Sequence, residues 1–384
     1  MGPTIILDKS AFQSLNEDDT HELSRYFYVV VPPVLALEIL ADLKKDGGVS
    51  AEAQAVVMRL AKRLQPVDGV ANAHYGVLCT ADLLGGKIKM DRRPIVAGGR
   101  RVVAEDGTVG RFLDHQPENE ALARWSCGMF GEAEALLATQ WREASRAIDL
   151  DGFRNQMRQL IDFVPLGSVE FVRKVVDETM RVPKAQIPIL RAILSELRTI
   201  PEVEQWIPSR WRNGGYSLVE DFAKYAHHCA RVNFVFQQAL IHGLIGTRST
   251  NRIDMEYLYY TPFAHVFCSG DKVHKTLAQA LLGEDQSFVW HDDLRAALRQ
   301  VADARREAHA AGSANAFELE PQEDSLIRRL WTKHLGHWTN WPAGGETAIS
   351  EEKCQELFAR AQAFLDAAHR TKQDIPPRPK WPCP

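Results

Sequence analysis

Apolar residues come in short, largely β-branched runs near the start of the chain and at steps of three or four through its middle, two spacings that separate strands from helices. Residues 4–7 and 28–31 are unbroken apolar runs of strand length, and the polar stretch 10–26 between them reads as a short helical region. Pro32 and Pro33 stand where a helix begins, because a first-turn proline has its backbone angle preset and no helical hydrogen bond to lose. A helix is predicted over residues 50–64. Extended segments follow at 94–96, 100–104 and 108–113, with turns at Gly98-Gly99 and Asp106-Gly107, a candidate inserted hairpin.

Residues 116–200 read as almost wholly helical, broken near Asp149 to Gly152, at Pro165 and at Pro183 to Pro188. Ser217 with Glu220 three positions on forms a capping-box pattern, predicting one long helix whose apolar stripe runs Leu218, Phe222, Tyr225, Cys229, Val232, Phe236 and Leu240. A short strand is predicted over 264–269. Further helices are predicted at about 289–309, 323–337 and 349–370, and the prolines of 374–384 predict an extended tail. Strands near the start and helices throughout predict an α/β fold.

With 384 residues, 45% of them apolar, the chain is long enough for two or three packed units. Its formal net charge of -4 offers no bulk positive field, so nucleic-acid binding would need a local basic surface. Six cysteines, Cys79, Cys127, Cys229, Cys268, Cys354 and Cys383, are scattered without paired spacing and read as reduced thiols of a cytoplasmic protein. The most apolar stretch, 28–40, is interrupted too soon to cross a bilayer, which takes about 20 helical residues.

The candidate chemistry lies in Asp8, Glu38, Asp254 and Asp271. Asp8 closes the first strand and Asp271 follows the strand ending at Ser269, so topology delivers both to the carboxyl edge where parallel sheets bind ligands. Glu38 and Asp254 lie on helices that can lean into that edge. Gathered carboxylates oppose one another's ionisation, and a divalent cation removes that cost. Hard oxygen donors suit Mg²⁺ or Mn²⁺, which can activate water against a phosphodiester.

The strand ending in Asp8, the Val-Val-Pro-Pro-Val-Leu-Ala-Leu-Glu38 segment, the helix-opening Asp254 and Ser269-Gly270-Asp271 together resemble the four acidic motifs of PIN-like domains. Members of that family are commonly metal-dependent ribonucleases. The resemblance implies a three-layer α/β domain with a parallel sheet, Asp8, Glu38, Asp254 and Asp271 holding one or two Mg²⁺ or Mn²⁺ ions, and Ser269 in the small-hydroxyl position two before the last acid. It spans residues 1–65 and 245–285, which makes 66–244 a mostly helical insertion and 286–384 a helical C-terminal region. The implied activity is phosphodiester hydrolysis, with RNA as substrate and water as nucleophile. A structure-selective DNA nuclease and an inactive scaffold holding a protein partner are the alternatives.

Around these acids, Ser10 is placed to orient Asp8, and Asp42, one turn after Glu38, reads either as an outer carboxylate or as a solvated helix residue. Arg248, Arg252, Lys272, His274 and Lys275 would suit phosphate contacts, with a solvated surface as the plainer reading. Tyr257, Tyr259 and Tyr260 could stack bases, although core packing is the stronger expectation for at least two of them. His227-His228 and the His334/His337 pair lack the acidic third ligand of a zinc motif. Trp331, Trp338 and Trp341 suggest a small C-terminal core or partner surface. A phosphotransferase reading of Asp8 fails because Ser10 stands where a second Asp is required, and Cys383 alone cannot make a zinc site.

Overall fold

The computed structural model describes residues 2–45, 50–64, 70–96, 100–103, 107, 109–112, 117–160, 164–197, 201–311 and 320–336, with isolated residues between 355 and 366. Two units are distinguished, Met1–Val96 with Ala121–Gly336, and Ala97–Glu120 with His337–Pro384. The second contains the antiparallel hairpin expected from the turn residues, β4 (Arg100–Val103) and β5 (Val109–Phe112). The helix expected at 349–370 lies largely outside the described residues, and the extended tail, Trp338, Trp341, Cys354 and Cys383 lie wholly outside them.

The first unit is α/β, built on a parallel sheet of order β3-β2-β1-β6-β7, with β1 Thr4–Leu7, β2 Tyr28–Val31, β3 Val70–Ala71, β6 Val266–Ser269 and β7 Ser287–Trp290. β1 is central and buried along its whole length, which is why its sequence is a continuous apolar run rather than an alternation. The chain leaves β1 toward β2 and later returns on the other side of β1 as β6. Crossovers therefore diverge at the β1/β6 boundary, the place where open α/β sheets leave a crevice beyond their strand ends.

Helices of the first unit follow in order as α1 Lys9–Ser14, α2 Glu17–Tyr26, α3 Pro33–Ala41, α4 Ala51–Leu64, α5 Tyr75–Leu83, α6 Pro117–Ser126 (shared with the second unit), α7 Glu132–Arg146, α8 Leu150–Leu160 and α9 Val169–Met180. They continue as α10 Gln186–Leu197, α11 Pro201–Glu204, α12 Trp206–Asn213, α13 Val219–Phe222, α14 Lys224–Ile241, α15 Asn251–Leu258, α16 Lys272–Leu281, α17 His291–Ala310 and α18 Leu326–Leu335. α3 begins at Pro33 as expected, and Asn16 with Asp19 closes a capping box on α2. α17 packs against α1, α2 and α18, while α16 packs against α15 and β7. Trp331 belongs to this unit: it is buried, and its indole N–H donates to the Tyr26 carbonyl at 2.8 Å.

Three expectations are corrected here. The sheet reaches into the segment read as an insertion, because Val70 and Ala71 pair with Val30 and Val31 of β2. Residues 287–290, partly assigned to a helix from 289, form β7, and the helix starts at His291. The helix expected from Ser217 is two helices, since the backbone turns extended at Ala223 (φ -152°, ψ 87°). Asp82 on α5 explains that break, because its Oδ2 accepts from the free N–H groups of Tyr225 at 2.7 Å and Ala226 at 3.1 Å and so caps α14 from outside. The Asp82→Ala variant is expected to lose about 1–2 kcal/mol of stability. Urea unfolding should show a lower midpoint with an unchanged slope; an unchanged midpoint would show that Asp82 does not hold α14.

Candidate active site

Asp8 follows Leu7 directly, and its own N–H still pairs across the sheet with the Cys268 carbonyl at 3.1 Å, so the residue is fixed at the carboxyl end of β1. Its side chain caps α1 through Ala11 N–H at 2.8 Å and receives the Ser10 hydroxyl on both oxygens, at 2.9 and 2.8 Å. Across the strand boundary the Ser269 hydroxyl donates to Asp8 Oδ2 at 2.7 Å. Both hydroxyls thus donate to the one carboxylate. Gly270 lies between, with its N–H on the Ser10 hydroxyl at 3.0 Å, and a Cβ there would come within 2.7 Å of the His291 ring and 2.9 Å of Ser10 Oγ. Only glycine allows this approach.

Asp271 opens α16 from the end of β6 and caps it through Val273 N–H at 2.6 Å. Glu38, on α3, accepts the Tyr257 hydroxyl from α15 at 2.5 Å. Asp254 lies in the first turn of α15, three residues before Tyr257 and on the same face. Among the described residues its carboxylate has no hydrogen-bond donor. Burial pushes its pKa up to about 7, against the pull of His274, and the charges of Asp271, Glu38 and Asp8 raise it further. All four acids therefore share one electrostatic environment despite the 215 positions separating Glu38 from Asp254.

At the centre is His274, fully buried on the apolar face of α16 with Leu277, Ala278 and Leu281. Its Nδ1 lies 2.8 Å from Ser269 Oγ and 3.3 Å from Asp8 Oδ2, and its Nε2–H donates to the Asp254 carbonyl at 2.6 Å. Burial disfavours the imidazolium, but Asp8 and Asp254 overcome that and raise its pKa to about 9. Asp8 shows the reciprocal effect: burial would raise its carboxyl, and His274 with the Ala11 and Ser269 donors holds it below the usual range. For Glu38 burial prevails and raises the carboxyl in spite of Tyr257 and Lys9.

His274 is thus no surface phosphate contact, although its spacing had placed it among those candidates. The amphipathic period of α16, which puts position 274 on the same face as 277, 278 and 281, is the signal that locates it. Tyr257, Tyr259 and Tyr260 are all at most 1% exposed, so none is a platform for base stacking. Asp42 is not solvated either: it is buried between Lys9 Nζ at 2.7 Å and Arg142 Nη2 at 2.9 Å, and Lys9 also donates to the Glu38 carbonyl at 2.9 Å. Arg252 is held by Glu196 and Glu256. Arg248, Lys272 and Lys275 are exposed, with the Lys275 ammonium 5.5 Å from the centre of the Trp290 ring.

Five carboxylates, those of Asp8, Glu38, Asp42, Asp254 and Asp271, meet three cations, Lys9, Arg142 and protonated His274, so with every carboxylate ionised the set carries an excess of two negative charges. In charge and in hard oxygen donors the set fits a divalent cation. Among the described residues no three His, Cys, Asp or Glu side chains stand in a ready metal-holding arrangement. Asp8 and Glu38 are turned instead toward Ser10, Ser269 and Tyr257.

Of the histidines weighed for zinc, His228 Nε2–H donates to the Leu258 carbonyl at 3.1 Å and His334 Nε2 lies 3.1 Å from the Ser287 hydroxyl, while His337 falls outside the described residues. Cys79, Cys127, Cys229 and Cys268 are free thiols. Among the described residues no helix is long and apolar enough to cross a membrane. Comparison of the chain with family models, with curated proteins and with solved structures finds no match.

Proposed function

We propose that this chain is a PIN-like, metal-dependent nuclease that hydrolyses phosphodiester bonds in RNA, with Asp8, Glu38, Asp254 and Asp271 as its acidic set. One observation carries the reading above all: Asp254 is a mostly buried carboxylate with no capping duty and no donor among the described residues, facing three other acids at the edge of the sheet. Structural roles account for Asp8 and Asp271 as helix caps, but not for the energetic cost of Asp254. The β1/β6 boundary, with an acid beyond each strand, supports the same reading.

In this proposal the four acids would hold a Mg²⁺ or Mn²⁺ ion, whose chemistry when bound would be to activate water and offset charge on the phosphodiester. Ser269, Ser10 and His274 fix the Asp8 carboxylate, and Tyr257 fixes Glu38. With its pKa raised to about 7, Asp254 is partly protonated near neutral pH, and ligation would release that proton. Lys272 and Lys275, exposed on the helix that Asp271 caps, and the exposed Arg248 would contact the substrate's phosphates.

The purified chain is expected to cleave single-stranded RNA in Mn²⁺ or Mg²⁺ and to stop in EDTA, and calorimetry is expected to detect Mn²⁺ binding. A parallel DNA panel decides the substrate: cleavage of DNA alone would replace RNA in the proposal. Neither Mn²⁺ binding in the millimolar range nor cleavage of any nucleic acid would sink it in favour of a partner-binding scaffold.

A further inference from the structure

On α9, α13 and α14 lies an open cleft of about 480 Å³, a volume suited to a small organic ligand. Its wall carries four cations, Arg173, Arg181, Lys224 and Arg231, against three carboxylates, Asp177, Glu220 and Asp221. The pairing is uneven. Arg231 grips Asp177 with two prongs, at 2.5 and 3.1 Å, and Arg173 competes for an oxygen of the same carboxylate at 3.0 Å. Arg181, largely exposed, reaches the half-buried Glu220 only at 3.4 Å, and among the described residues Lys224 has no carboxylate partner. Asp221 likewise has no cation partner among the described residues, so four cations against three carboxylates leave one positive charge in excess at this opening, and guanidiniums match the oxygens of a phosphate.

The wall also holds two uncharged imidazoles. Burial lowers His228 to about 3, so it is neutral, with Nε2–H spent on the Leu258 carbonyl and Nδ1 left as an acceptor. Burial lowers His227 as well, and its Nε2 is buried without a hydrogen-bond partner in a wall that opens into the cleft. A buried polar atom left unsatisfied is costly, and a ligand that bonds to it removes the cost.

We propose that this cleft is a binding site for a mononucleotide-sized phosphorylated anion, its phosphate held by Arg173, Arg181 and Lys224 and its polar ring bonded to His227.

The test is isothermal titration calorimetry of the full chain in EDTA with the four nucleoside 5′-monophosphates, the matching nucleosides and inorganic phosphate. At least one monophosphate is expected to bind at micromolar to submillimolar concentration, about tenfold or more tighter than its nucleoside and than phosphate alone. The double variant R181A/K224A, altered at exposed positions, is expected to weaken that binding about tenfold while keeping the wild-type melting temperature, and H227F should weaken it independently. D254N should leave it unchanged. Absence of binding by every monophosphate, binding equal to that of inorganic phosphate, or binding lost in D254N but kept in R181A/K224A would each overturn the proposal.

Discussion

Asp254→Asn is expected to abolish metal-dependent cleavage while leaving the metal-free protein at least as stable as the wild type at pH 8. The two effects share a cause. The folded-state pKa of Asp254, raised to about 7 from 3.8, means that folding penalises its ionised form. That penalty is absent below pH 3.8, grows as pH rises and is complete above pH 7. Each tenfold weakening of the acid corresponds to at most about 1.4 kcal/mol. An amide of the same shape escapes it, so the variant's advantage should widen from pH 5 to pH 8 in EDTA thermal melts. Undiminished cleavage by D254N would remove Asp254 from the mechanism. An equal loss of stability at both pH values would show that it is an ordinary structural residue.

His274→Gln is expected to act in the opposite sense, costing about 3–5 kcal/mol because Asp8 then keeps its buried charge without a counter-ion. The folded pKa of His274, about 9, lies above its unfolded value of 6.5, so its contribution is fully present below pH 6.5 and is lost as pH rises through about 9. Asp8, held below its unfolded value of 3.8, contributes above pH 3.8 and fails as pH falls through its folded value. The gap between wild type and variant should therefore be widest between about pH 4 and 6.5 and narrow toward pH 10. Chemical denaturation in EDTA across that range reads it directly. A pH-independent gap would mean that His274 contributes packing rather than charge, and added Mn²⁺ should restore part of the lost stability.

The strand-end position of Asp8 was legible because Thr-Ile-Ile-Leu is too apolar for an exposed turn and too short for a buried helix, and β1 forms at those residues. The start of α3 at Pro33 was fixed by proline geometry in the same local way. β3 was not legible, since two residues carry no periodicity and Val70-Ala71 becomes a strand only by pairing with β2. In Ser-Phe-Val-Trp290, four residues fit either period, and β7 forms because the β6 edge was open. The break at Ala223 has no mark in its own neighbourhood; its cause is Asp82, 143 positions from Tyr225. The acids were visible one by one, at a strand end, within helices and at a helix start. Their internal counter-ion was not, because a histidine on an apolar face reads the same whether its ring is neutral or charged.

The adjacency of β1 and β6 also sets a timetable. Ser269 stands 261 positions after Asp8, so at translation speeds of roughly 5–20 residues per second about 13 to 52 seconds separate the emergence of the two partners. Through that interval β1 lacks its neighbour on one side, and the Asp8 carboxylate lacks both Ser269 and His274. The acidic edge therefore cannot assemble cotranslationally from its N-terminal half alone: a nascent chain carries every residue through Glu38 early, yet it cannot present the assembled site until the segment through α16 has left the ribosome.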